Sequence, residues 1–343
     1  MRATTIHAPY EVQLSEVPDP KLDGVTDALV RVVASCICGS DLWPYRGESK
    51  IKPGSRIGHE FVGIVEEVGA DVRTVKPGDF VIAPFVVSDG TCPHCRAGYQ
   101  TACQNLVGYG SSRADGGQGE YVKLPYADGT LVATPEQPDE ALIPSLLTLS
   151  DVMGTGWHAA RAARVNAGDT VVVVGDGAVG LSGVLAAARM GAERVVAMSR
   201  HEPRQQLAVE FGATDIISER GEAARDAVLE LTGGVGADAV LECVGTGQSM
   251  ETAFDVARAG ATVGFVGVPH GVEVPIRKMF QRNVGLAGGM APVRAYLPEL
   301  MTAVLAGEIN PGKVFDLELP LAEVADGYRA MHERRAIKVL LRP

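Results

Sequence analysis

The stretch Val171-Val-Val-Val-Gly175-Asp-Gly177-Ala-Val-Gly180 decides how this chain is read. Four consecutive valines have the composition of a strand buried on both faces, and the glycines that follow show the spacing GxGxxG at the start of a helix-forming run. Gly175 permits a tight turn, Gly177 lets the backbone approach a pyrophosphate, and Gly180 allows helix to pack closely on strand. The first helical turn, with Ala178 and Val179, then turns its amides toward the anion. The motif predicts a dinucleotide site. Residues 171–188 are apolar except for Asp176 and Ser182 and approach the length of a membrane span, but Gly175, Gly177, Gly180 and Gly183 favour strand, turn and helix instead.

Downstream, strand-like runs alternate with helical stretches: strand 170–174, helix 179–190, strand 194–198, helix 203–211 and strand 215–217. Further strand candidates at 239–243, 261–266 and 284–286 complete an α/β pattern that predicts a doubly wound parallel sheet over residues 151–290. Upstream the grammar differs. Short β-rich runs at 29–34, 58–68, 79–87 and 119–124, separated by turns such as Lys76-Pro77-Gly78-Asp79, predict an antiparallel barrel-like unit over residues 1–150. Residues 291–343, with a helical stretch at 296–306 and a strand-like tail at 337–341, are too short for a third domain and are expected to pack back on the first.

Composition bounds the function. At roughly 100 to 200 residues per domain, 343 residues predict about two domains. Lys plus Arg number 31 against 42 Asp plus Glu, a net charge of −11, so nothing favours nucleic acid or anionic lipid as a partner. Hydrophobic residues make up 46% and charged ones 21%, as in soluble domains, while 41 glycines exceed the roughly 7% norm and are only partly placed by the loop and turns above. The first residues carry no basic region followed by an apolar stretch, so a cytoplasmic setting is expected. Of six cysteines, Cys92, Cys95 and Cys103 are clustered, which favours a metal in a reducing compartment over a disulfide scaffold.

About twenty residues beyond the glycine loop, the second strand ends in Ser199-Arg200, where an acid would hold the ribose 2′-hydroxyl of NAD. No acid stands there. Ser199 can donate a hydrogen bond and Arg200 can pair with a 2′-phosphate, supplemented by Arg204, so NADP is favoured over NAD.

Two sets of metal-ligating residues stand out. Cys38, His59 and Asp151 supply a thiolate, an imidazole and a carboxylate, a three-ligand set whose open position can take water or substrate at zinc. Asp89, Cys92, Cys95 and Cys103 run at intervals of three, three and eight, the spacing of a closed structural zinc loop with an oxygen ligand at its start. His94 is the rival fourth ligand. Cys36 and Cys243 are left as ordinary buried thiols.

With CICGSDLWPYRG (36–47), GHEFVGIVEEVG (58–69), VKPGDFV (75–81), CPHCRAGYQTAC (92–103), TGWHAA (155–160), GDGAVG (175–180) and LECVGT (241–246), the chain resembles the zinc-dependent medium-chain alcohol dehydrogenases over nearly its whole length. The resemblance implies a GroES-like catalytic domain with an inserted Rossmann domain, catalytic zinc on Cys38, His59 and Asp151, and Glu60 as a carboxylate able to approach the metal. Asp at position 151 and the run MSRHEPRQQLAVEFGATDII (198–217) are similar to the secondary-alcohol branch, which implies hydride transfer between NADP(H) and an alcohol, ketone or aldehyde. By the same resemblance Asp41 would fix the tautomer of His59, Ser40 would carry the substrate proton, Thr155 would touch the cofactor and Trp43 would narrow the substrate pocket. It also implies a homodimer or homotetramer. Two departures stand out: Asp89 replaces the first cysteine of the family's structural loop, and Leu42 and Trp43 stand where many members carry a relay histidine. A zinc-dependent polyol or sugar dehydrogenase is the nearest alternative, a zinc-free quinone reductase would lack Cys38 and His59, and a non-catalytic NADP-binding protein would need a broken zinc site.

Overall fold

A computed structural model describes residues 1–343. Strands β1 (Arg2–Ala8) and β2 (Glu11–Glu16) form an antiparallel hairpin, and β4 (Ser55–Arg56) adds to the other edge of β1. The sequence pattern hides this hairpin because Thr4 and Thr5, polar residues on opposite faces of β1, are both buried. Strand β3 (Ala28–Cys36) alternates buried and half-buried residues from Ala28 to Ala34, the period of a strand with one face on the core. It pairs antiparallel with β5 (Phe61–Val68), which pairs with β6 (Phe80–Ala83); β7 (Tyr121–Leu124) pairs with β3, and β8 (Val132–Ala133) with β6. Val30, Phe61, Val65, Val81, Val122 and Leu124 form the core of this sheet. Short helices α1 (Leu42–Tyr45), α2 (Pro93–Arg96), α3 (Ala127–Thr130) and α4 (Ile143–Thr148) occupy the connections.

The run expected to be strand from residue 58 begins as strand only at Phe61. Gly58 has φ +94°, and a Cβ there would lie 2.8 Å from the backbone nitrogen of Gln118, so the chain turns sharply before the strand and presents His59 and Glu60 from a loop.

The chain divides into two compact units, Met1–Asp151 with Pro292–Pro343, and Val152–Ala291. The second opens with α5 (Val152–Ala162) and continues β9 (Thr170–Val174), α6 (Ala178–Arg189), β10 (Arg194–Met198), α7 (Glu202–Glu210), β11 (Asp215–Ile217), α8 (Gly221–Leu231), β12 (Ala237–Glu242), α9 (Gly247–Val256), β13 (Ala257–Phe265), α10 (Ile276–Arg282) and β14 (Gly285–Gly288). The six strands are parallel in the order β11-β10-β9-β12-β13-β14, the doubly wound order with its reversal between β9 and β12. Val171 to Val174 are buried throughout because the central strand of a parallel sheet is covered on both faces. The apolar run 171–188 is therefore strand, turn and helix, and no helix of the chain is long and apolar enough to cross a membrane.

The chain then returns to the first unit through α11 (Val293–Leu305), β15 (Phe315–Pro320), α12 (Val324–His332) and β16 (Lys338–Arg342). Strand β16 lies between β15, to which it is parallel, and β3, to which it is antiparallel, with Leu340 opposite Cys36. Val339, Leu340 and Leu341 are fully buried. At about 1.5–3 kcal/mol each, their burial roughly offsets the about 1–2 kcal/mol per residue needed to order five residues of backbone, so contacts with both neighbouring strands are needed to hold the strand down.

Candidate metal and dinucleotide sites

The first site is assembled by three segments of the first unit. The 3₁₀ turn Gly39–Asp41 follows Cys38, the loop before β5 carries His59 and Glu60, and Asp151 follows α4. Ligating atoms of Cys38, His59, Glu60 and Asp151 all lie within 4.8 Å of one another. Asp151 Oδ2 is 3.6 Å from Cys38 Sγ and 3.7 Å from His59 Nε2, while His59 Nδ1 faces Asp41 Oδ1 at 3.4 Å. That arrangement directs Nδ1 to Asp41 and turns Nε2 toward the cluster, where a cation can take the place of its proton. Ser40 Oγ lies 3.5 Å from the same Nε2. Trp43 is half-buried in α1.

This donor set fits a divalent cation. Burial, with the charges of Glu60 and Asp151, pushes the Cys38 thiol up to about 11. Burial alone would lower His59, but the charge of Asp41 and its hydrogen bonds to Asp151 and Asp41 outweigh it and raise the imidazole well above its ordinary value. Acids and a thiol gathered this closely repel one another, and a dication relieves the repulsion by replacing protons.

Three residues of this neighbourhood were passed over in the sequence. Gln118, fully buried, donates from Nε2 to the Cys36 carbonyl at 3.1 Å and to Asp41 Oδ2 at 3.3 Å, and accepts from the buried Tyr328 hydroxyl at 3.1 Å. Asp41 also accepts from the Cys38 amide at 3.0 Å, so its carboxylate is held from several sides while it faces His59. Lys338 Nζ donates to Glu60 Oε1 at 2.8 Å, with both side chains at most 1% exposed. Cys36, read as an ordinary thiol, donates to the other oxygen of Glu60 at 3.2 Å, and burial with the Glu60 charge keeps it protonated. A lysine inside the apolar tail Ile337-Lys-Val-Leu-Leu was a legible signal; Gln118 offered none.

The second cluster is local. Ligating atoms of Asp89, Cys92, Cys95 and Cys103 lie within 4.8 Å of one another, and His94, the rival, is exposed outside the group. The Asp89 carboxylate accepts from the amides of Thr91 at 2.8 Å and Cys92 at 2.9 Å and from the Asn105 side chain at 2.8 Å. Burial would raise it, but these donors hold it well below the usual carboxylate range. Cys95 is pushed up to about 12 by burial and by its hydrogen bonds to Cys92 and Cys103. Three thiols with an ionised carboxylate make a closed four-ligand set suited to structural zinc.

In the second unit, Gly175 has φ +119°, and a Cβ on Gly180 would stand 2.0 Å from the Gly175 carbonyl oxygen. A Cβ on Gly177 would meet nothing, so the loop backbone ahead of α6 is open to an approaching group, with Ala178 and Val179 half-buried beside it. The twelve-residue helix α6 receives no side-chain cap, which leaves its N-terminal amides for an anion. These features fit a dinucleotide pyrophosphate. Gly180→Ala is expected to lower stability by about 1–3 kcal/mol through overpacking, read from the denaturant midpoint; an unchanged midpoint would show that the turn yields. Thr155 is buried in the first turns of α5. At the end of β10, Ser199 is buried and Arg200 exposed, and Ser199 Oγ donates to Asp176 Oδ2 at 2.9 Å, with Arg204 Nη1 3.2 Å from Asp176 Oδ1. The carboxylate missing from the strand end in sequence is thus supplied in space by the glycine loop.

Comparison with known proteins bears on both units. Residues 24–136 match the alcohol dehydrogenase GroES-like domain, and residues 178–306 match the zinc-binding dehydrogenase domain. The chain is 34% identical over 351 aligned positions to zinc-type alcohol dehydrogenase B of Aspergillus flavus, covering 100% of this chain and 81% of that protein. An alcohol dehydrogenase from Thermus sp. ATN1 superposes with a TM-score of 0.92 at 32% identity, covering 100% of this chain and 99% of that one. A zinc-binding dehydrogenase from Sinorhizobium meliloti, solved bound to NADP, does so with a TM-score of 0.84 at 30% identity, covering 100% and 99%.

Proposed function

The chain belongs to the zinc-dependent medium-chain alcohol dehydrogenases and is an oxidoreductase of that family, and from that premise we propose that it moves hydride between NADP(H) and a secondary alcohol or its ketone. The observation that carries the reading is the cluster of Cys38, His59 and Asp151. These three, His59 through Nε2, would hold catalytic zinc, and Asp89, Cys92, Cys95 and Cys103 a second, structural zinc. When bound, zinc supplies Lewis acidity toward the alcohol or carbonyl oxygen and the nicotinamide carries the hydride.

The residues do the rest. One thiolate, one carboxylate and a neutral imidazole sum to −2, which leaves no excess negative charge to oppose loss of the alcohol proton. Asp41 keeps the Nδ1 proton of His59 in place, and Ser40 Oγ, beside Nε2, is the first acceptor for the substrate proton. Glu60 stays committed to Lys338 behind the ligands. Asp151, an oxygen ligand, supports the secondary-alcohol reading by resemblance, and Trp43 narrows the pocket. Thr155 contacts the cofactor, and the exposed Arg200, with Arg204, receives its 2′-phosphate beside Ser199, whose own proton goes to Asp176; the NADP-bound relative supports that choice.

Metal analysis and nicotinamide absorbance kinetics test this. Two zinc ions per chain are expected, one for each cluster, with kcat/KM higher for NADP than for NAD and higher for secondary alcohols than for polyols. Arg200→Ala should cost the NADP reaction about tenfold, on the scale of one charge-assisted hydrogen bond, and spare the NAD reaction. An active chain free of zinc removes the metal reading, and a preference for NAD removes the 2′-phosphate assignment.

A further inference from the structure

Asp176 stands between the first two glycines of the loop and turns its carboxylate across the sheet end from β9 toward β10. One oxygen accepts from Ser199 Oγ at 2.9 Å and the other lies 3.2 Å from Arg204 Nη1, which also reaches the Asp176 carbonyl at 3.3 Å. The two charged side chains are 17% and 13% exposed, so this is a packed contact and not a solvated pair. Gln205 holds the strand end from behind, donating to the Ser199 carbonyl at 2.8 Å and to Ser218 Oγ at 3.0 Å.

In a doubly wound sheet the acid that accepts the ribose hydroxyls belongs at the end of the second strand. Here that strand runs into Ser199-Arg200, and the acid arrives from the neighbouring loop instead. We propose that Asp176 sets the cofactor preference of this chain: it accepts a ribose hydroxyl of NAD and opposes the 2′-phosphate of NADP at the contact it shares with Ser199 and Arg204. The proposal rests on the reading that Ser199 and Arg204 face the 2′ position. Two arginines, Arg200 and Arg204, attract the phosphate, and Asp176 occupies one of them and adds a negative charge beside it. Removing that charge strengthens phosphate binding and replaces the hydroxyl's charged acceptor with a weaker neutral one, and both effects raise the preference for NADP.

Calorimetric titration of the full chain and of Asp176→Asn with NADP⁺, NAD⁺ and adenosine 2′,5′-bisphosphate tests this. The ratio of the NAD⁺ Kd to the NADP⁺ Kd should rise about tenfold or more in the variant, the scale of one charge-assisted hydrogen bond, and the bisphosphate should bind more tightly. Asp176→Ser, which also removes the charge, carries the same expectation should Asp176→Asn fail to fold. A ratio that stays or falls overturns the proposal. Tighter binding of NAD⁺ than NADP⁺ by the parent chain overturns the NADP reading, while a rise in the ratio on substitution would still support the role of Asp176.

Discussion

Replacing Cys38 with serine is expected to lower kcat/KM by at least about 10³-fold, because Lewis acidity is worth several kcal/mol and each 1.36 kcal/mol is a factor of ten. The side chain is 8% exposed and its Sγ lies 3.6 Å from Asp151 Oδ2, so the substitution removes a thiolate donor with little change in volume. What remains is one imidazole, one carboxylate and a hydroxyl that does not ionise near neutral pH, a poorer set for zinc than the parent's. The same variant should lose one zinc ion and keep the one at Asp89, Cys92, Cys95 and Cys103, since the two clusters share no residue. Full zinc content with kcat/KM within tenfold of the parent would remove Cys38 from the ligand set. The paired metal measurement separates loss of a ligand from general misfolding, which would strip both sites.

Lys338→Met should destabilise the chain by about 3–5 kcal/mol, the usual consequence of stranding one member of a buried ion pair. Glu60 is fully buried, Lys338 Nζ donates to it at 2.8 Å, and the same ammonium donates to the Ile37 carbonyl at 3.3 Å. Burial opposes the lysine charge, but the charge of Glu60 and the hydrogen bond donated to it outweigh that, so the ammonium form is held well above its ordinary range. Glu60→Gln combined with Lys338→Met leaves no buried charge behind and should recover much of the loss. The interaction energy from the double-mutant cycle is therefore expected to be large and compensating. A Lys338→Met chain that unfolds at the parent's denaturant concentration would mean that water reaches Glu60 and the pair is weak.

The parts of this architecture written in local patterns were legible, and those made by distant segments were not. Val171–Gly180 can be read directly, because strand, turn and helix N-terminus are neighbours in sequence. The cysteine loop is similar: Asp89 and Cys103 are close along the chain, and chelate spacing constrains them. Asp151 is different. A lone aspartate far downstream of Cys38 and His59 completes a ligand set by residue type and by resemblance, but no spacing ties it to them until the fold brings its oxygen to the sulfur. Gln118, Tyr328 and Lys338 act through hydrogen bonds spanning 77, 210 and 278 residues, and no periodicity or spacing encodes such contacts. Asp176 was hidden for another reason. Its place in the glycine loop was plain, but its hydrogen bond with Ser199 spans 23 residues and exists only once the two strands are paired.

The passage of β16 between β15 and β3 has a bearing on synthesis. Residues 152–291 form one continuous length of chain and have all of their own sheet as soon as they leave the ribosome, whereas the first unit lacks a strand of its main sheet until residues 338–342 are made. Until then the carboxylate of Glu60 has no ammonium to meet. The inserted unit therefore has its whole sequence available before the unit that surrounds it, and the Cys38 site is among the last regions whose full set of neighbours is synthesised.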